Sequence, residues 1–207
     1  MHRVLIVEDD PMAARLFELT VGMMDGFEAS DTLASAALAE AWCLGHSVDL
    51  VLMDVVTAGG ASGLEAASKL KRTRCGVKVL VVTSQPEVDF ISRARAAGVD
   101  GFWYKTNGSL ELEDVMRRVT AGERIFPDAP PETPLGNALA SSLTPLEVRI
   151  LRELTTGATN AQIAERLHLS GRTVGNNIQS MLRKTGFSSR TMLAVAAVDS
   201  GAVMSGV

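Results

Sequence analysis

The spacing of apolar and polar positions changes character once along the chain. In the first part, short apolar runs without alternation recur as "RVLIV", "VDLVLMD", "VKVLVVT" and "GFWYK". Runs of this kind suit strands covered on both faces. Helix-length amphipathic stretches separate them: "PMAARLFELTVGMM", "LASAALAEAWCLG", "GLEAASKLKR", "PEVDFISRARAAG" and "SLELEDVMRRVTAG". "FEASDTL" reads as a polar strand near a sheet edge. Strict alternation of strand and helix predicts an α/β fold over residues 1–122, a doubly wound five-stranded parallel sheet of flavodoxin-like type.

From Gly122 to Ser142 the chain reads "GERIFPDAPPETPLGNALASS", rich in Pro and short of apolar periodicity, which predicts a linker over residues 123–142. Helix-start signals then follow closely. Thr144-Pro145-Leu146-Glu147 offers a hydroxyl cap, Pro at the first helical position and a carboxylate three residues on, and Thr159-Asn160-Ala161-Gln162 repeats that logic. Ser170 and Ser189 can cap two more helices, while Gly157 and Gly186 suit helix C-termini. Residues 143–207 therefore read as a second, smaller all-α domain.

Composition alters this picture little: 46% hydrophobic and 21% charged residues over 207 positions describe an ordinary globular chain. The net charge of -4 conceals an acidic front half and a mildly basic tail after Pro134, which suggests two jobs. Cys43 and Cys75 lack metal-ligand or disulfide-framework spacing and read as buried, reduced thiols. No stretch approaches the roughly 20 apolar residues that span a bilayer, and the N-terminal apolar run is too short for a signal sequence. The expectation is a cytoplasmic protein without membrane contact.

The candidate chemistry begins at "VLIVEDDP", where an apolar run enters three carboxylates. Neighbouring anions repel unless a cation lies close. In an open parallel sheet, ligands bind beyond the carboxyl ends of the strands where strand order reverses. Glu8 and Asp9, Asp54, Thr83 and Lys105 each follow or close a strand and would converge there. Oxygen-only ligands without His or Cys suit a hard divalent cation that keeps several waters, and Mg²⁺ fits best. With the metal offsetting charge, Asp54 could accept a phosphoryl group as an acyl phosphate, its oxygens gripped by Thr83 and Lys105. A hydrolase built on the same nucleophile would need a carboxylate two residues later, where Val56 stands.

"VEDD", Asp54, Thr83-Ser84 and "GVDGFWYK" together resemble a two-component receiver domain across residues 1–122. The resemblance implies that Glu8 and Asp9 are the acidic pair and Asp54 the phosphoacceptor. It further implies that Val56 offers its carbonyl to Mg²⁺, Thr83 is the switch hydroxyl, Phe102 the switch aromatic that moves inward, and Lys105 the phosphate-pairing lysine. Asp10 reads as a helix-entry residue. After Asp54 the chain runs "VVTAGGASGLEA", one residue longer than the usual pattern and without Met-Pro. Gly59, Gly60 and Gly63 predict a flexible loop there. That departure keeps open an alternative, a phosphorylation-independent regulator whose receiver senses a ligand or a protein.

The tail from "LTPLE" through "GATNAQIAERLHLSGRTV" to the Arg183-Lys184 pair resembles the helix-turn-helix of NarL/FixJ (LuxR-type) transcription factors. Ile163, Ala164 and Leu167 form one apolar stripe, and Val174, Ile178 and Leu182 another. The opposite face carries Arg172, Asn176, Gln179, Arg183 and Lys184, able to meet phosphates and base edges in a major groove. The resemblance adds Thr173 and Gly175, and Gly175 stands where a lysine is common, so affinity per chain is expected to be modest. It implies a histidine kinase as donor, double-stranded promoter DNA as target, and a homodimer formed on phosphorylation through the receiver or the final helix.

Overall fold

The computed structural model describes residues 1–73, 76–87, 89–105 and 111–203. Cys75 and the first two residues of "SLELEDVMRRVTAG" lie outside these ranges. The chain forms two compact units, one of residues 1–84 and 91–128, the other of residues 85–90 and 129–207.

The first unit is built on β1 (His2–Val7), β2 (Phe27–Leu33), β3 (Leu50–Asp54), β6 (Lys78–Thr83) and β7 (Gly101–Tyr104), all parallel, in the order β2-β1-β3-β6-β7. Order reverses between β1 and β3, so a crevice opens beyond the carboxyl ends of those two strands. Val4 to Val7 and Leu50 to Met53 are fully enclosed, as unalternating runs require. At about 25 cal/mol per Å², each such Val, Ile or Leu side chain contributes roughly 1.5–3 kcal/mol. The polar β2 occupies one edge, and its register against β1 slips between Val4 and Leu5.

Helices α1 (Pro11–Met23), α2 (Ala39–Gly45), α3 (Gly63–Thr73), α4 (Phe90–Ala96) and α5 (Leu112–Thr120) follow the predicted places. α2 is shorter than its pattern, because Ala36–Leu38 forms a tighter 3₁₀ turn first. Cys43 on α2 is buried.

The loop after Asp54 differs from the expected flexible segment. Val56–Thr57 (β4) and Ala61–Ser62 (β5) pair as a small antiparallel hairpin closed by Ala58–Gly60, where Gly59 and Gly60 take φ of 75° and 71°. The hairpin is tied to the β2–α2 connection. The buried Thr57 hydroxyl accepts from the Ala36 amide at 2.8 Å and donates to Ala61 O at 3.1 Å, and Ala58 N donates to Ala34 O at 3.0 Å. Gly63 serves a different purpose, taken up with the site.

The stretch expected as a linker is ordered at both ends. Ile125 bridges to Gly101 in parallel fashion, and its carbonyl accepts from Phe102 N at 2.8 Å. A Cβ on Gly101 would lie 2.9 Å from Leu80 and Val119 methyls and 3.3 Å from Ile125 O, so only glycine admits this approach. Further on, Pro134–Leu135 (β8) and Ala138–Leu139 (β9) form a hairpin whose Leu135 is buried in the helical core.

That core joins α6 (Pro145–Thr155), α7 (Asn160–Leu167), α8 (Gly171–Thr185) and α9 (Arg190–Asp199). Thr144 and Thr159 close full capping boxes with Glu147 and Gln162, and Ser170 and Ser189 cap the last two helices. Gly186 ends α8 in the left-handed region at φ 78°, and Gly157 follows α6 at φ 80°. Ile163, Ala164, Val174 and Ile178 are buried as the stripes require, with Leu167 and Leu182 partly covered.

Candidate functional site

β1 hands the chain to α1 through Glu8, Asp9 and Asp10. Glu8 N donates to Leu33 O at 2.9 Å, holding the turn to β2. Asp10 caps α1, its Oδ1 accepting from Met12 N at 2.8 Å and Ala13 N at 3.0 Å. These two amide bonds hold the Asp10 carboxyl below its usual value. Asp10 is thus committed to the helix.

Glu8, Asp9 and Asp54 bring carboxylate oxygens within 4.8 Å of one another. Glu8 is buried, Asp54 half-buried and Asp9 exposed. Lys105, following β7, donates to Glu8 Oε2 at 2.5 Å and Asp54 Oδ2 at 2.8 Å. Val55 N donates to Asp54 Oδ1 at 2.6 Å. Burial drives the Glu8 carboxyl upward, aided by the Asp54 charge, and Lys105 only partly opposes it. Burial alone would depress the Lys105 ammonium, but the Asp54 and Glu8 charges outweigh it and hold the group above its ordinary value. Among the described residues, three carboxylates against the Lys105 ammonium leave the crevice short of positive charge. The donor set is oxygen-only and carboxylate-rich, as a hard divalent cation requires, so the residues fit Mg²⁺.

Thr83 ends β6 fully buried, and its carbonyl accepts from Lys105 N at 2.9 Å, tying two strand ends together. Val56 sits two residues past Asp54 in β4. Phe102 lies inside the core, edge-on to Tyr104 at 4.9 Å between ring centroids. It is already inward, so the expected swing from outside to inside has no outward starting point here.

Gly63, counted with the glycines of the loop and also opening the helical stretch "GLEAASKLKR", is the first residue of α3 and packs directly on the acceptor position. A Cβ there would fall 1.8 Å from Asp54 O and 2.9 Å from Asp54 C. Its amide donates to Val55 O at 2.8 Å. No local sequence signal separates this glycine from Gly59 and Gly60, because the contact comes from across the β3–α3 connection.

In the helical unit, Arg172, Asn176, Gln179 and Arg183 are exposed along α8, and Thr173 and Gly175 are half-covered beside them. Lys184 departs from the expected outward face. Its Nζ donates to Glu147 Oε2 at 2.7 Å and Ser142 O at 3.1 Å, bracing the carboxylate of the α6 capping box. It thereby supports structure within the unit.

A doubly wound sheet with an acidic crevice at its switch point, carried on one chain with a capped helix-turn-helix, defines a receiver coupled to a nucleic-acid-binding module. Comparison with known proteins places the chain more closely. A family model described as the response regulator receiver domain matches residues 4–117, and one described as bacterial regulatory proteins, luxR family, matches residues 141–197. The nitrate/nitrite response regulator protein homolog of Haemophilus influenzae is 30% identical, with 93% of this chain and 94% of that one aligned. The transcriptional regulatory protein ComA of Bacillus subtilis is 28% identical over 97% of this chain and 99% of its own. Among solved structures, RcsB from Salmonella enterica serovar Typhimurium bound to promoter rprA has a TM-score of 0.61 at 16% identity. That alignment covers 95% of this chain and 98% of RcsB, and at such identity the likeness speaks for the fold.

The chain belongs to the two-component response regulators of the NarL type, with a receiver domain and a LuxR-family DNA-binding domain. The family is one of transcriptional regulators that bind DNA and are not enzymes. Among the described residues, no helix is long and apolar enough to cross a membrane.

Proposed function

We propose that the receiver accepts a phosphoryl group on Asp54 from the phosphohistidine of a partner kinase, with Mg²⁺ held by Glu8, Asp9, Asp54 and the Val56 carbonyl. The observation that carries this reading is the gathering of three carboxylates and Lys105 at the switch point of the sheet. An Asp54 oxygen forms a bond to phosphorus as the phosphorus–nitrogen bond of the donor breaks, the electron pair leaving on the imidazole. A bound Mg²⁺ would offset the repulsion between anionic nucleophile and anionic donor. Lys105 then exchanges a carboxylate partner for a phosphoryl oxygen, and the Thr83 hydroxyl turns towards it. Because Phe102 starts inside the core, the change passes through Thr83 and the coupled ends of β6 and β7.

The output is double-stranded promoter DNA, met by Arg172, Thr173, Gly175, Asn176, Gln179 and Arg183, with Lys184 keeping its structural partner. Dimer formation on phosphorylation is supported by two exposed apolar faces. Met12, Leu16, Leu19 and Met23 line one side of α1, and Met192, Val195 and Val198 one side of α9. The protein acts in the cytoplasm on this reading. The phosphorylation-independent alternative drew on the longer loop after Asp54, without Met-Pro and rich in glycine; the pinned hairpin speaks against the flexibility in that argument, while the extra residue and the missing Met-Pro stand.

The test is incubation with acetyl phosphate and Mg²⁺ followed by intact-mass measurement. Wild type is expected to gain one phosphoryl group and Asp54→Ala none. An unmodified wild type would instead favour the phosphorylation-independent regulator.

A further inference from the structure

The bare surface of α8 at Gly175 faces one side chain from another helix. A Cβ on Gly175 would have Asn160 Nδ2 as its nearest neighbour, at 3.6 Å, and a cleft of about 400 Å³ runs there between α8 and the start of α9, with Asn160 of α7 at its side. Gly175, Gln179, Ser189, Arg190 and Asn160 are among its walls. Arg190, first residue of α9, donates through Nη1 to Asn160 Oδ1 at 2.8 Å and through Nη2 to Ala158 O at 2.6 Å. A guanidinium can only donate, so its contact fixes which end of the amide is oxygen. The amide nitrogen is left towards the cleft, and among the described residues it meets no hydrogen-bond partner.

Three features therefore coincide: an amide donor held in one orientation, a glycine that leaves it uncovered, and a position beside Asn176 and Gln179 on the exposed face of α8. In helix-turn-helix docking the first helix crosses the nucleic-acid backbone while the second enters the groove. A donor on the first turn of α7 then meets phosphate oxygen and not a base edge. We propose that Asn160 is a DNA-contacting residue of this chain, its Nδ2 donating to a backbone phosphate that the missing side chain at Gly175 allows to approach. Arg190 is its positioning residue. The inference rests on the DNA-binding reading above and extends it to a residue on α7, outside the face that pattern analysis assigned.

The test uses the full chain, treated with acetyl phosphate and Mg²⁺, and a duplex that the wild type selects from a random-sequence pool. Asn160→Asp keeps the oxygen that Arg190 holds and removes the donor. Binding is expected to weaken by about tenfold or more, within the range for a lost hydrogen bond to a charged group, with Tm no lower than that of the wild type, since a carboxylate beside Arg190 in the first turn of α7 favours the fold. The loss persists as salt rises, since salt screens the added charge but does not restore a donor. Gly175→Leu has room for its Cβ and should raise Tm by relieving a helix-interior glycine, yet weaken binding by covering Nδ2. Combined, the two should weaken binding by clearly less than the product of their separate effects. Asn160→Asp binding as the wild type does would overturn the inference, and should that variant fail to fold, unchanged binding by Gly175→Leu would do the same. If the wild type selects no duplex at all, it is the DNA-binding reading that fails.

Discussion

Gly63→Ala is expected to destabilise the receiver unit by roughly 3 kcal/mol or more, beyond the usual cost of overpacking. A Cβ at this position would sit 1.8 Å from the Asp54 carbonyl oxygen and 3.0 Å from Met53 Cγ. The nearest obstacle is backbone, which cannot rotate aside as a side-chain tip can. Either α3 moves outward or the end of β3 shifts, and both displace the acceptor carboxylate. Urea denaturation should show the lost stability, and phosphoryl incorporation from acetyl phosphate should slow in the same variant. Gly59→Ala is the control. It meets open space and has only the strain of φ +75° to bear, about 1–2 kcal/mol. Equal denaturation midpoints for Gly63→Ala and the wild type would show that the close approach does not exist in solution.

Glu147→Ala is expected to weaken the helical unit by about 2–3 kcal/mol. The buried Glu147 carboxylate accepts from Thr144 N at 2.7 Å, Ser180 Oγ at 2.9 Å and Lys184 Nζ at 2.7 Å. Lys184 is one-third exposed and can turn to water, which keeps the loss below that of a fully enclosed pair. Burial would raise the Glu147 carboxyl, but Lys184, the Thr144 amide and Ser180 outweigh it and hold the group below its ordinary value. The folded state thus binds fewer protons than the unfolded one as pH falls through the carboxylate range. The contribution is complete above the unfolded value and lost as pH drops through the lowered folded value. Glu147→Gln should therefore flatten the acid side of the stability profile. An unchanged acid limb would contradict this role.

Much of the fold could be read from local pattern because its causes are local. Unalternating runs gave the buried strands, and a hydroxyl followed three residues later by Glu or Gln gave the capping boxes of α6 and α7. Glu8, Asp9, Asp54 and Lys105 were legible because a parallel sheet brings strand ends together by its topology. What escaped depends on contacts across long stretches of chain. Ile125 lies in Pro-containing sequence that looks like linker, and only its bridge to Gly101 places it beside β7. Thr57 secures the hairpin by bonding to Ala36, 21 residues earlier. Lys184 belongs by periodicity to the outward face of α8, but a buried carboxylate on α6 claims it. Asn160 looked like an ordinary first-turn residue until Arg190, 30 residues on, fixed its amide.

The central claim is that the crevice between β1 and β3 binds Mg²⁺ and places a phosphoryl group on Asp54. The most direct measurement is a crystal structure of the full chain grown with Mg²⁺ and beryllium fluoride. The account predicts a fluoroberyllate bonded to Asp54, Mg²⁺ among Glu8, Asp9 and Asp54, and Lys105 turned from the carboxylates to a fluorine. An Asp54 side chain still bonded to Lys105, with neither metal nor fluoroberyllate beside it, would contradict it.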